Sequence, residues 1–164
     1  MSVLWIALAV VAAQRIVTVI YSAGNTKKML AAGGVEVGKA QFPTIALAQF
    51  AWLASMAILI PAHGNPNWWI LGAAAMVEIF HSWAIASLGP YWSTRVVLVP
   101  GARLVRRGPY GILRHPNYVA VLAEIVLLPA AFGRWDIGLI FGALYASLIL
   151  WRIRDEDRLL APAR

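Results

Sequence analysis

The chain contains no cysteine among its 164 residues. Disulfides, iron–sulfur clusters and thiolate zinc sites are therefore excluded. Histidine is scarce as well. His63, His81 and His115 lie far apart without HxxxH spacing, and no metal site is expected from them. Charge is the third shortage: 13% of residues are charged, where a soluble domain carries about 25%. No glycine-rich dinucleotide fingerprint, internal repeat or low-complexity linker occurs. What fills the chain instead is apolar: 61% of residues are hydrophobic and the mean hydropathy is +0.71. This is a membrane composition, and the length fits one integral membrane domain spanning 1–164. Net charge is +7, which in a soluble protein would suggest nucleic acid. A membrane protein needs cationic cytoplasmic loops in any case, so no nucleic-acid partner is expected.

Five apolar segments predict an all-α polytopic fold. They run from about Val3 to Ala23, Phe42 to Ile60, Trp68 to Leu88, Pro116 to Phe132 and Ile137 to Trp151. The first three reach the roughly 20 residues needed to cross a bilayer. The last two are near 16 residues, about 24 Å of helix, and form a short hairpin around Gly133–Asp136. The first segment lacks a charged leading region and is interrupted by Gln14 and Arg15, so it does not read as a cleavable signal.

The cations set an expected orientation. Lys27, Lys28 and Lys39 follow the first segment, and Arg95, Arg103, Arg106, Arg107 and Arg114 follow the third. Arg152, Arg154, Arg158 and Arg164 form the tail. Twelve of the fourteen basic residues thus share one side, which predicts an outside N-terminus and a cytoplasmic C-terminus. Trp5, Trp68, Trp69, Trp135 and Trp151 sit near segment ends as an aromatic belt would place them.

Ionisable residues inside spans are costly and are functional candidates by default. Arg15 falls in the first segment, Glu78 and His81 one helical step apart in the third, and Glu124 in the fourth. Asn117, Val121 and Glu124 share a stripe. A purely structural reading pairs Arg15 with Glu78 or Glu124 to hold helices together.

The densest polar stretch is "RRGPYGILRHPNY", Arg106 to Tyr118. Pro116 suits a first helical position, where its missing N–H has no partner to lose. Arg114, His115, Asn117 and Tyr118 then surround a helix N-terminus, which favours anions. The "GPY" turn brings Tyr110 toward Arg114. The tail "RIRDEDRLL" returns to the same side through the hairpin, with Arg152 and Glu156 at i, i+4. Such a surface would hold a zwitterionic or nucleoside-bearing molecule while a lipid tail enters sideways. A solvated helix end beside an ordinary positive-inside loop is the plainer reading.

From Leu88 onward the chain resembles the isoprenylcysteine carboxyl methyltransferase family of integral membrane methyltransferases. The resemblance rests on Leu88-Gly89, Trp92-Ser93 and Val96, then Leu104-Val105, Gly108-Pro109-Tyr110 and Arg114-His115-Pro116-Asn117-Tyr118, and finally Arg152 to Leu160. Its N-terminal half is similar to small bacterial members. Asp157 stands where the family carries a second glutamate, and the chain ends at Arg164 without the aromatic extension of eukaryotic members.

The resemblance implies S-adenosyl-L-methionine as methyl donor and a lipophilic, isoprenoid or polyketide-like acceptor bearing a carboxylate or hydroxyl. Leu104, Val105, Tyr110, His115, Tyr118 and Glu156 would bind the cofactor. Arg114, Arg154 and Glu124 would serve catalysis, and Glu78, His81 and Trp92 the acceptor. A carboxylate acceptor needs only orientation, whereas a hydroxyl needs a base, for which Glu124, Glu78 and His81 are the candidates. The alternatives are an NADPH-dependent membrane reductase of the sterol reductase type and a non-enzymatic membrane scaffold or transport subunit.

Overall fold

The structure, a computed structural model, describes residues 2–37, 41–102 and 105–160, with side chains described as far as Arg154. Five α-helices carry it: α1 (Val3–Ala31), α2 (Gln41–Leu59), α3 (Trp68–Leu88), α4 (Pro116–Ala131) and α5 (Trp135–Leu160). Among the described residues, α1, α2, α3 and α5 are long and apolar enough to cross a membrane, while α4 is a shorter apolar helix. The chain is an all-α polytopic membrane protein, as its composition predicts.

Two boundaries differ from the sequence reading. Helix α1 does not stop near Ala23; its 29 residues extend about 43 Å, and nothing breaks it before Gly33, where φ reaches +82°. Helix α5 continues past Trp151 through the charged tail, for 26 residues in all. Only α4, with 16 residues, is as short as expected. A small antiparallel ribbon was also not anticipated. Strands β1 (Val35–Val37) and β2 (Val96–Leu98) pair with Val35 opposite Leu98 and Val37 opposite Val96. Three-residue strands give too little alternation to be seen in a sequence.

The far end of the bundle, where α1 begins and α4 turns into α5, is closely packed. Leu4, Leu8 and Val11 meet Trp52 and Met56 of α2, Ile125 and Leu128 of α4, and Ile137 and Tyr145 of α5. Asn67 caps α3 by accepting from the N–H groups of Trp69 and Ile70. Arg134 donates to the Leu59 carbonyl at 2.6 Å and to Asp136 at 2.8 and 2.7 Å, tying α2 to the α4–α5 turn.

Lipid offers little hydrophobic drive between helices, so close backbone approach and polar contacts matter more. Gly138 and Gly142 supply the approach. A Cβ on Gly138 would lie 2.8 Å from the Val126 carbonyl oxygen, so α5 rests directly on the α4 backbone. A polar contact comes from Pro129. Having no N–H, Pro129 leaves the Ile125 carbonyl without its helical donor, and the Trp52 indole N–H of α2 fills that gap at 3.2 Å.

Candidate functional site

At the opposite end, the segment between α3 and α4 folds over the helix tips. Residues Gly108–Gly111 form a 3-10 turn pressed against α3. Gly108 adopts φ +57°, and a Cβ there would come within 2.4 Å of the Ser87 hydroxyl. Arg107 fixes the turn by donating to the Ser87 carbonyl at 2.9 Å. His115 is the N-cap of α4 and Pro116 its first residue, as the sequence predicts. The imidazole of His115 stacks on Tyr118, with centroids 5.4 Å apart and planes 18° from parallel.

One guanidinium organises this end. Arg152 of α5 is buried, donates from Nε to the Tyr118 hydroxyl at 2.7 Å and from Nη1 to the Thr94 carbonyl at 2.7 Å. It also lies over the Tyr118 ring, 5.9 Å from its centroid. The sequence reading treats Arg152 only as a partner for Glu156. Its two-pronged reach to Tyr118 and the loop after α3 depends on tertiary contacts that no spacing announces.

The polar residues of α1 complete the frame. Ser22 and Thr94 share a hydrogen bond at 2.8 Å, as do Thr26 and Ser93. Asn25 donates to the carbonyls of Gly89 and Trp92, both at 3.0 Å. These three α1 residues escape the sequence reading, although Ser22, Asn25 and Thr26 at i, i+3, i+4 mark one polar face.

Beneath the frame lies a cavity of about 1300 Å³. Val105, Tyr110, Arg114, His115, Asn117, Tyr118 and Arg152 line its loop-side end, and His81, Trp92 and Arg15 line its wall. Its other boundary is α1 and α2, where Ile16, Ile20 and Phe50 line the cavity yet are 61%, 68% and 70% exposed. The cavity therefore opens sideways between α1 and α2, on the surface that would face lipid.

Behind the wall, the ionisable residues of three helices meet. Arg15 forms a salt bridge with the buried Glu124 through Nη2 and Oε2. Its Nη1 lies 2.9 Å from Gln14 Oε1 and 3.2 Å from His81 Nδ1. On the other side of the ring, His81 Nε2 is 2.8 Å from Asn117 Oδ1. Nε2 therefore carries the hydrogen, which it donates to the amide oxygen, and Nδ1 accepts from Arg15. Glu78 Oε2 and Glu124 Oε2 are each 3.9 Å from His81 Nδ1. Glu78, His81 and Glu124 offer ligand atoms within 4.8 Å of one another, a grouping invisible in their sequence spacing. The cation among them is the Arg15 guanidinium, so the helix-pairing reading of Arg15 is realised with Glu124.

Val105, Tyr110, Arg114, His115, Tyr118, His81 and Trp92 share the cavity. Glu78 and Glu124 stand just behind it, joined to it through His81 and Arg15. Arg154 is exposed on α5 and off the cavity wall, which Arg152 occupies instead. Leu104 and the Glu156 side chain lie outside the described residues.

Comparison with known proteins identifies the family. The isoprenylcysteine carboxyl methyltransferase (ICMT) family matches residues 70–162, more than half of the chain. The match takes in most of α3, the loop after it, α4 and α5. "Uncharacterized protein YpbQ" of Bacillus subtilis (strain 168) is 34% identical over 160 residues, covering 95% of each chain. No solved structure matches. The chain belongs to the isoprenylcysteine carboxyl methyltransferase family, and a membrane methyltransferase-like function follows from that membership.

Proposed function

We propose that the protein is an S-adenosylmethionine-dependent O-methyltransferase of the membrane, acting on the carboxylate or hydroxyl of a lipophilic acceptor. The observation that carries this reading is one cavity with two unlike ends. Its loop-side end is polar and aromatic, whereas the gap between α1 and α2 is apolar and faces lipid. At about 1300 Å³ it exceeds the roughly 300–1,000 Å³ of a pocket for one small ligand, so a cofactor and a lipid head fit together.

The loop-side residues suit a nucleoside-bearing amino acid. Tyr110 and the stacked His115–Tyr118 pair offer aromatic faces, and the N-terminus of α4 favours a carboxylate. Trp92 lines the cavity, and its buried indole N–H lacks a hydrogen-bond partner among the described residues, a donor awaiting an acceptor atom. Glu156 and the Leu104 backbone would add to this set by family resemblance, and the positive charges favour a cytoplasmic side for this end.

When bound, the cofactor supplies an electrophilic methyl group on a sulfonium. The chain's own task is to hold the acceptor oxygen in line with that carbon and to exclude water. Arg114 sits on the cavity wall where it would orient a carboxylate, and His81 where it would meet a hydroxyl. The lipid tail would remain between α1 and α2.

Titration calorimetry on detergent-purified protein tests the cofactor assignment. S-adenosylhomocysteine should bind saturably and NADPH should not, with binding lost in His115→Ala. Binding of NADPH alone would overturn the reading in favour of a reductase.

A further inference from the structure

Resting on the methyltransferase reading, we infer that the Arg15–Glu78–His81–Glu124 cluster exchanges one proton with each turnover, and that the acceptor is accordingly a phenolic or enolic hydroxyl. The charges gathered inside the bundle do not cancel. Arg15 contributes one positive charge, Glu78 and Glu124 one negative charge each, and His81 none in the tautomer its neighbours impose. One carboxylate is in excess. Both oxygens of Glu78 are buried without a hydrogen-bond partner among the described residues, as is Oε1 of Glu124. An ion in that setting is costly in a membrane interior, so with the cavity empty of cations the cluster holds a proton.

Among the described residues, the elements packed around the cluster supply no compensating charge. Helix α1 contributes Arg15 alone, already paired with Glu124. Helix α3 contributes Glu78 and His81, and α4 contributes Glu124 with the neutral Asn117. On α5 the nearest titratable group is Tyr145, whose hydroxyl lies within hydrogen-bonding distance of the Ile45 carbonyl and Gln49 Oε1 and so keeps its hydrogen. Among these residues only a proton closes the count.

A sulfonium brought into the same cavity adds one positive charge next to this cluster, because His81 and Arg15 line the wall. Neutrality is then kept by releasing the proton to solvent, which leaves the cluster as a base facing the acceptor. During transfer the acceptor oxygen forms its bond to the methyl carbon as the carbon–sulfur bond breaks. The electron pair stays on sulfur, and the hydroxyl proton passes to the cluster. The sulfonium charge and the cluster's negative charge disappear together, so the count closes for a hydroxyl. A carboxylate acceptor brings its own negative charge, and the cluster's capacity for a proton would then have no use.

Two measurements decide this. Calorimetric titrations of the purified protein in buffers of different ionisation enthalpy give the protons released on binding. S-adenosylmethionine should release about one proton more than S-adenosylhomocysteine, and Glu78→Gln should remove the difference while still binding S-adenosylhomocysteine. In the second, tritiated methyl transfer is compared for a 4-alkylphenol and a 4-alkylbenzoate of equal chain length. The phenol ether should form faster, and Glu78→Gln should slow it about 100-fold. Equal proton release by the two cofactor forms, or preferential esterification of the benzoate, overturns the inference and leaves the methyltransferase reading standing. Binding of neither cofactor form would refute that reading first, and this one with it.

Discussion

The Trp52–Pro129 arrangement allows a sharp test of how the bundle is held together. Trp52 is fully buried, and its indole N–H is the donor that the Ile125 carbonyl lacks because Pro129 has none. Trp52→Phe keeps an aromatic ring but leaves that carbonyl unsatisfied, at about 1–3 kcal/mol, with a further packing loss from the smaller ring. Pro129→Ala restores the helical N–H to the same carbonyl. In that background Trp52→Phe should cost only the packing part, so the double-mutant cycle should show a coupling of about 1–2 kcal/mol. Unfolding by sodium dodecyl sulfate in mixed micelles, followed by circular dichroism, gives all four stabilities. Effects that add to within about 0.5 kcal/mol would refute the claim that Trp52 stands in for the missing N–H.

Three further tests address other parts of the structure. Arg15→Ala leaves Glu124 buried and unpaired and should destabilise by about 3–5 kcal/mol, whereas Arg15→Leu combined with Glu124→Leu should recover most of that in the same unfolding assay. Gly138→Val forces α5 away from the Val126 carbonyl and should cost about 1–3 kcal/mol, with Gly24→Val, where a Cβ meets nothing, as the tolerated control. Arg152→Lys cannot serve Tyr118 and Thr94 from one planar fork, so affinity for S-adenosylhomocysteine should fall at least about tenfold while the protein stays folded.

Much of the fold can be read from the sequence because the membrane enforces it. Backbone groups in lipid must be satisfied within the segment, so apolar runs such as Trp68–Leu88 become helices with little ambiguity. The start of α4 was equally legible, since Pro116 marks a first turn. The extension of α1 to Ala31 was missed because "NTKK" looks like a loop, yet Asn25 and Thr26 are held by the segment after α3. Much of the site was visible as the Arg106–Tyr118 stretch, whose residues lie close in the chain. Arg152 and the meeting of Glu78, His81 and Glu124 were harder to foresee, because the packing of α1, α3, α4 and α5 creates them. Choosing Arg154 over Arg152 reflects the same limit. On a helix the two differ by about 200° around the axis, and only the bundle says which one turns inward.

The most direct test of the methyltransferase assignment is transfer of label. Membranes containing the protein would be incubated with S-adenosyl[methyl-³H]methionine and extracted with organic solvent. The wild-type protein should place tritium on an extractable lipid, His115→Ala and Arg152→Ala should not, and Gly24→Val should match wild type. Label in the extract that is the same for wild type and both site variants would mean that this cavity does not transfer methyl groups.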